Sequence, residues 1–74
     1  MKQLIDILNS IRPDIDYSIE NGLLKNGILD SLDVILIITK LSESYGISID
    51  AEEINNENFD SMERIRKFIK KKLK

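Results

Sequence analysis

The strongest constraint on the fold is that a chain of only 74 residues contains neither cysteine nor histidine. Small domains bury a small share of their surface, so the core must be modest, and disulfides cannot reinforce it. We therefore expect one compact domain over residues 1–74. The missing thiol and imidazole also remove the usual nucleophile, general base and zinc ligands, which argues against an enzyme with its own catalytic activity.

Apolar periodicity predicts an all-α fold, a small four-helix bundle of three main helices and one short helix. The first helix is predicted at 2–11, because apolar residues recur there at the helical period and Pro13 follows. The second is predicted at 31–45. Its β-branched run would suit a strand, but the run follows a serine of cap type and stops at Gly46, which suits the left-handed turn that ends helices.

The remaining segments predict one short helix, one long helix and an ordered loop. A single helical turn is predicted at 50–55 with Asp50 as its cap, and the last helix at 61–72. The core face of the last helix would consist of Met62, Ile65, Phe68, Ile69 and Leu73. The long loop 12–30 would be held to the core by Ile15, Ile19, Leu23, Leu24, Ile28 and Leu29.

Two segments, 30–33 and 60–63, share the pattern Asp-Ser-apolar-acid, and each precedes a predicted helix. Such a pattern usually marks a helix start. In the second segment it explains every residue, with Asp60 as the cap and Glu63 reaching back to complete a capping box. The first segment could be a cap as well, so local sequence does not separate the two serines.

The helix that follows Ser31 distinguishes this serine from Ser61. Projected at about 100° per residue, the helix has a core arc formed by Val34, Ile37, Ile38, Leu41 and Tyr45. A second group, Leu32, Ile35 and Leu36, lies roughly 150° away with Thr39 beside it. We call these three residues the apolar patch. A bundle this small has little chance of burying both faces, so the patch indicates a docking surface beside Ser31.

Taken together, these features resemble an acyl carrier protein, and the resemblance runs over nearly the whole chain. It is carried by the segment 27–33, by the helix that follows, by the helix exit at 45–49 and by the segment 57–61. An Asp-Ser-Leu triplet alone is a weak signal. At the head of the second helix, after a long loop and a Gly-x-Leu lead-in, it is a strong one.

The resemblance implies that Ser31 is the attachment point of a 4′-phosphopantetheine arm, which a separate phosphopantetheinyl transferase takes from coenzyme A. Cargo would then be held as a thioester on the arm, loaded by an acyl- or aminoacyl-loading ligase and passed to client acyl-transfer enzymes. The partners would dock on the second helix. Asp30 and Asp33 would give charge steering, and the apolar patch would give contact area.

The cargo is less constrained than the attachment. The carriers of fatty-acid synthases typically have many Glu residues in this helix, whereas here its acids are Asp33 and Glu43. This difference argues against a general fatty-acid carrier. The apolar face of the second helix and the basic C-terminus look more like a dedicated stand-alone carrier in one biosynthetic pathway. Leu32 favours acyl cargo, because carriers of the D-alanyl type commonly have an aromatic residue after the serine. An aminoacyl carrier, of D-alanyl or peptidyl type, remains the alternative.

The sequence offers three other functions. The segment 14–18 resembles the start of a calcium-binding EF-hand loop, but Ile19 and Lys25 stand where the loop needs Gly and Glu. The basic segment 64–74 could bind anionic membranes or nucleic acid. Its cations also suit the negative end of a helix dipole, and the acidic body would repel phosphates, so we expect no nucleic acid partner. The third function is an unmodified helical adaptor that binds through the apolar patch.

The location of the protein follows from its apolar segments. No apolar run reaches the roughly 18 residues that a membrane-spanning helix needs. Asp6 interrupts the N-terminal segment where a signal peptide would continue apolar. We therefore expect a cytoplasmic monomer without stable membrane insertion.

Overall fold

The computed structural model describes residues 4–73, which form four α-helices and one 3₁₀ turn. The elements are α1 (Leu4–Ile11), α2 (Ser31–Tyr45), the 3₁₀ turn (Ala51–Glu53), α3 (Asn56–Phe59) and α4 (Met62–Lys72). Helix α1 packs against α2 and α4, and α3 packs against α4. The predicted all-α bundle is confirmed. Residues 2 and 3 of the predicted first helix lie outside the described residues.

One apolar core lies between the helices. Its fully buried side chains are Ile7, Leu8, Leu23, Ile37, Leu41, Phe59 and Ile65. The rings of Phe59 and Phe68 pack at a centroid distance of 5.2 Å, which joins α3 to α4. Burial of each large apolar side chain stabilises the fold by roughly 1.5–3 kcal/mol. The expected core position of Leu73 is wrong: it is 49% exposed, because it caps α4 after the last turn.

Helix α2 has the predicted bounds because local signals fix both of its ends. The Asp30 carboxylate accepts the N–H of Asp33 at 2.8 Å, and the Asp33 carboxylate accepts the N–H of Asp30 at 3.2 Å. These reciprocal bonds form a capping box. At the other end, Gly46 adopts φ 65° and donates its N–H to the Ser42 carbonyl at 2.9 Å. The β-branched run between these caps is therefore helical.

The connection between α1 and α2 is the predicted ordered loop, but not all of its predicted anchors hold. Ile15, Leu23 and Leu29 are buried as expected, whereas Ile19 is 70% exposed. The aromatic ring of Tyr17 takes the core position instead. Its hydroxyl donates to the carbonyls of Leu8, at 3.2 Å, and Arg12, at 3.1 Å, and so satisfies the C-terminal end of α1.

The short helix predicted at 50–55 is replaced by two separate turns. The 3₁₀ turn is closed by the Glu53 carboxylate, which accepts the Asp50 N–H at 2.9 Å, while the Asp50 side chain makes no capping bond. Helix α3 follows because the Asn55 side chain accepts the N–H of Asn58 at 3.0 Å. Two cap-type residues five positions apart thus start two short elements instead of one.

The start of α4 also differs from the prediction. Its N-cap is Ser61, whose hydroxyl accepts the Arg64 N–H at 3.2 Å, so Asp60 and Glu63 do not form the expected capping box. The Asp60 carboxylate is used elsewhere. It accepts the N–H groups of Leu24, at 3.0 Å, and Lys25, at 2.9 Å, and thereby ties the loop to the α3–α4 junction.

This tie generates a stability prediction. We expect Asp60→Ala to lower the free energy of unfolding by about 1–2 kcal/mol, because two loop N–H groups lose their acceptor and one of them is partly buried. Urea unfolding followed by circular dichroism measures the loss. Glu63→Ala, which removes an exposed carboxylate and its 3.4 Å surface ion pair with Arg66, is the control and should change the value by less than about 0.5 kcal/mol. Equal losses in both variants would contradict the anchoring role of Asp60.

Candidate functional site

Ser31 is the first residue of α2 and lies on the surface. The cap of this helix is Asp30, so the Ser31 side chain is not needed to start the helix. Within residues 4–73, the Ser31 hydroxyl has no hydrogen-bond partner. The hydroxyl is therefore accessible at the start of α2, and its modification would break no hydrogen bond within the described residues.

Ser61 is the opposite case. It is only 7% exposed, and its hydroxyl caps α4. Modification of Ser61 would remove a cap and would have to open the core. The two similar segments are thus offset by one residue: the acid caps in the first, and the serine caps in the second.

The apolar patch is exposed beside Ser31, as predicted. Leu32 is 64% exposed, Ile35 59% and Leu36 44%. On the other side of the helix, Ile37 and Leu41 are fully buried. Helix α2 therefore has one apolar face in the core and a second one in solvent.

The predicted role of Asp33 in charge steering needs correction. Asp33 is only 9% exposed and its carboxylate is bound to Arg12, so little of it is open to a partner. A helical projection places Asp33 outside the core arc, but it does not show that the end of α1 covers the first turn of α2. The acid on the surface beside Ser31 is Asp30.

Asp33 is buried because Arg12 neutralises it. Arg12 lies just after α1, and its Nη1 donates to Asp33 Oδ2 at 2.5 Å and to the Ile28 carbonyl at 3.1 Å. The Nε and Nη2 atoms donate to the two oxygens of Asp14, each at 2.9 Å. One guanidinium thus joins the end of α1, the end of the loop and the start of α2.

The acids of this cluster have lowered pKa values. Hydrogen bonds from Arg12 lower the pKa of Asp14 to about 2. For Asp33, burial raises the pKa, but the bond from Arg12 and the N–H of Asp30 together outweigh burial, so the pKa lies below its usual value. The pKa of Arg12 is raised by its hydrogen bonds to both acids. All three groups are charged at neutral pH.

Arg12 is not among the residues predicted from the sequence. Periodicity does not identify it, because it follows the last apolar residue of α1. One signal was present: Arg12 is the only base between Lys2 and Lys25, in a segment that also contains four acids. A lone cation among acids, next to a proline that ends a helix, is a reasonable candidate for an ion pair between elements.

The basic face of α4 is partly used within the fold. The Lys72 ammonium lies 2.9 Å from the Glu53 carboxylate and 5.7 Å from the centre of the Phe68 ring. Arg64, Lys67 and Lys71 contribute to the wall of an open cleft of about 570 Å³. The same cleft is lined by Glu57 and Glu63, so its charge is mixed.

In residues 4–73, no three acidic side chains converge on a position where a metal ion could be held. None of the helices in that range combines the length and the apolar character that crossing a membrane requires.

Comparisons with known proteins give one kind of relative. The chain is 27% identical to a D-alanyl carrier protein of Lactobacillus acidophilus over 63 residues, which cover 84% of this chain and 80% of the relative. It is 25% identical to a D-alanyl carrier protein of Lactobacillus delbrueckii subsp. bulgaricus over 71 residues, or 95% of this chain and 89% of the relative. No protein-family model and no solved structure matches the chain significantly.

The helical fold, the exposed serine at the head of α2 and these relatives define a carrier protein. These relatives support the resemblance to the acyl carrier protein family that the sequence suggested. Within that family, the names of the relatives fit the aminoacyl alternative better than the acyl cargo that Leu32 favoured.

The Arg12 cluster predicts a pH-dependent difference in stability. Asp14 and Asp33 have folded-state pKa values below the ordinary value near 3.8, so their stabilising contribution is present above that pH and is lost as the pH falls through the folded-state values. We expect Arg12→Gln to have a lower free energy of unfolding than the wild type at pH 7. The difference between the two free energies should become smaller between pH 4 and pH 2. Urea unfolding at pH 7, 4 and 2.5 measures it. A difference in free energy that stays the same at all three pH values would contradict a stabilising role of the Arg12 ion pairs with Asp14 and Asp33.

Proposed function

We propose that this chain is an aminoacyl carrier of the D-alanyl type, a single carrier domain over residues 1–74. Its cargo is held as a thioester on a 4′-phosphopantetheine arm attached to Ser31. The observation that carries the proposal is the Ser31 hydroxyl, exposed and without a partner among the described residues, at the head of α2. The names of the relatives support the choice of cargo.

The surroundings of Ser31 suit a phosphodiester. The first N–H groups of a helix have no acceptor within the helix and attract anions. Asp30 satisfies those of Asp33 and Val34 at α2, which leaves the N–H groups at the beginning of the turn for water or phosphate. Of the two nearby acids, Asp33 is neutralised by Arg12, so the negative charge that opposes the phosphate is mainly that of Asp30.

Attachment needs a partner enzyme. The Ser31 oxygen forms a bond to the β-phosphorus of coenzyme A, the pyrophosphate bond breaks, and adenosine 3′,5′-bisphosphate leaves. The hydroxyl proton must go to a base. The chain has no histidine to accept it, so a phosphopantetheinyl transferase supplies that base.

The surface beside Ser31 would receive the transferase, the loading ligase and the client enzymes. The apolar patch provides contact area that is already exposed in the free chain. Asp30 adds one negative charge at the edge of the patch, which favours basic partner surfaces. Asp33 contributes by holding the turn in place, since it is buried.

Attachment to Ser31 is tested by intact mass after incubation with coenzyme A and a broad-specificity transferase. We expect the wild type to gain one phosphopantetheine, and Ser31→Ala to gain none. Ser61→Ala is the matched control and should still be modified, if it is assayed at a temperature at which it is folded. An unmodified wild type would exclude the carrier function and favour an adaptor that binds through the apolar patch.

The size of the cargo is tested by thermal melts. The transferase can also load arms that already carry acyl chains, from acetyl to dodecanoyl. We expect the midpoint to stay constant along the series, because the core side chains Ile37 and Leu41 are already fully buried. A chain folded into the bundle would add up to about 0.8 kcal/mol per buried methylene. A midpoint that rises with chain length would favour the acyl alternative over aminoacyl cargo.

A further inference from the structure

The position of Ser31 is held from both sides by one nitrogen atom. On the N-terminal side, Arg12 Nη1 donates to the Ile28 carbonyl at 3.1 Å. On the C-terminal side, the same atom donates to Asp33 Oδ2. Ser31 lies between these two points along the chain. The loop end and the first turn of α2 are therefore fixed relative to each other through Arg12.

The Arg12 hydrogen bond to Asp33 also affects the capping box of α2. The oxygen of Asp33 that binds Arg12 also accepts the Asp30 N–H at 3.2 Å, and Asp30 in turn accepts the Asp33 N–H at 2.8 Å. The Arg12 bond thus fixes the orientation of the carboxylate that completes the capping box. Ser31 and Leu32, the two residues between the capping acids, take their backbone positions from this arrangement.

Arginine suits this position better than lysine. Its planar guanidinium binds both oxygens of Asp14 through Nε and Nη2, which aims Nη1 at Ile28 and Asp33. A lysine ammonium could pair with one acid, but it has no fixed fork to hold three groups at once. Asp14 therefore belongs to the same group of interactions, because it orients the guanidinium of Arg12.

We propose that Arg12 is a positioning residue for the loading of Ser31. This inference rests on the proposed attachment of phosphopantetheine at that serine. Arg12 does not touch the reacting atoms. It holds the turn so that the Ser31 hydroxyl is presented in one orientation, and it neutralises the Asp33 carboxylate next to the incoming phosphate.

Loss of the Arg12 hydrogen bonds should lower the turnover of the transferase more than its binding to the carrier. The apolar patch lies on the exposed face of α2, and the hydrogen bonds of Arg12 go to Asp14, Ile28 and Asp33 instead, so a transferase would still bind the carrier. The hydroxyl would be correctly oriented for a smaller fraction of the time. Misplacement of a reacting group by as little as about 1 Å can cost up to about 100-fold in rate.

The experiment compares the loading kinetics of Arg12→Gln, Arg12→Lys and the wild type, with coenzyme A and a broad-specificity transferase. We expect kcat to fall about 10-fold or more in Arg12→Gln, with KM for the carrier changed less than about 3-fold. The kcat of Arg12→Lys should lie between those of the wild type and Arg12→Gln, because lysine keeps the positive charge but lacks the planar guanidinium. Circular dichroism sets a temperature at which every variant is folded.

Lys72→Gln is the matched control. It breaks an ion pair whose cation is about as exposed as Arg12, since the side chain of Lys72 is 27% exposed and that of Arg12 is 28% exposed. The pair connects α4 to the 3₁₀ turn and does not involve the Ser31 turn. Its kcat should equal that of the wild type, which separates positioning from a general loss of stability.

The outcomes distinguish this inference from the proposed function. A wild type that takes up no arm overturns the attachment at Ser31 and this inference with it. A wild type that is loaded, together with an Arg12→Gln variant of equal kcat, overturns the role of Arg12 alone. A loss of kcat that Lys72→Gln shares would mean a general effect of stability, and would also overturn it.

Discussion

The fold depends on how the long loop between α1 and α2 satisfies its backbone. A segment of this length has no helix or strand to pair its polar groups, and burying them without partners would be costly. Turns within the loop pair several of these groups, and two charged side chains pair others and tie the loop to the helices. Arg12 binds the carbonyl of Ile28 at the end of the loop, and Asp60 binds the N–H groups of Leu24 and Lys25 in its middle. The loop can then deliver Leu23 and Leu29 to the core.

These anchors also explain why a small domain without disulfides can carry such a loop. Each anchor comes from the end of a helix that is itself packed in the core, so the loop is fixed relative to the core. Tyr17 adds a third contact, because its ring is buried and its hydroxyl closes the end of α1. The site at Ser31 benefits from this, since a functional side chain is most precise when the elements that hold it are rigid.

The sequence predicted those features whose causes are local. The bounds of α2 depend on a capping box and a glycine in the left-handed conformation, and both can be read from adjacent residues. The exposed patch followed from helical geometry once the core arc was known. In both cases the relevant residues lie within one or two turns of each other.

Features that depend on distant partners could not be predicted in the same way. Asp33 is buried only because a cation 21 residues away neutralises it. Asp60 and Ser61 are both good caps, and the choice between them was decided by loop amides 36 and 35 residues away, which bind Asp60. Asp50 and Asn55 likewise compete as caps in one short segment, so local sequence suggested one helix where two turns form.

The offset between the two serine segments has a consequence for the working life of a carrier. Because an aspartate caps α2, a group joined to the Ser31 oxygen takes no hydrogen bond away from the helix. If the serine were the cap, as at α4, every attachment would cost about 1 kcal/mol of stability in a small domain. In this chain the group that caps the helix and the proposed attachment point are different residues. Under the proposed function, the bare and the loaded carrier would share one fold, and partner enzymes would distinguish them by the arm itself.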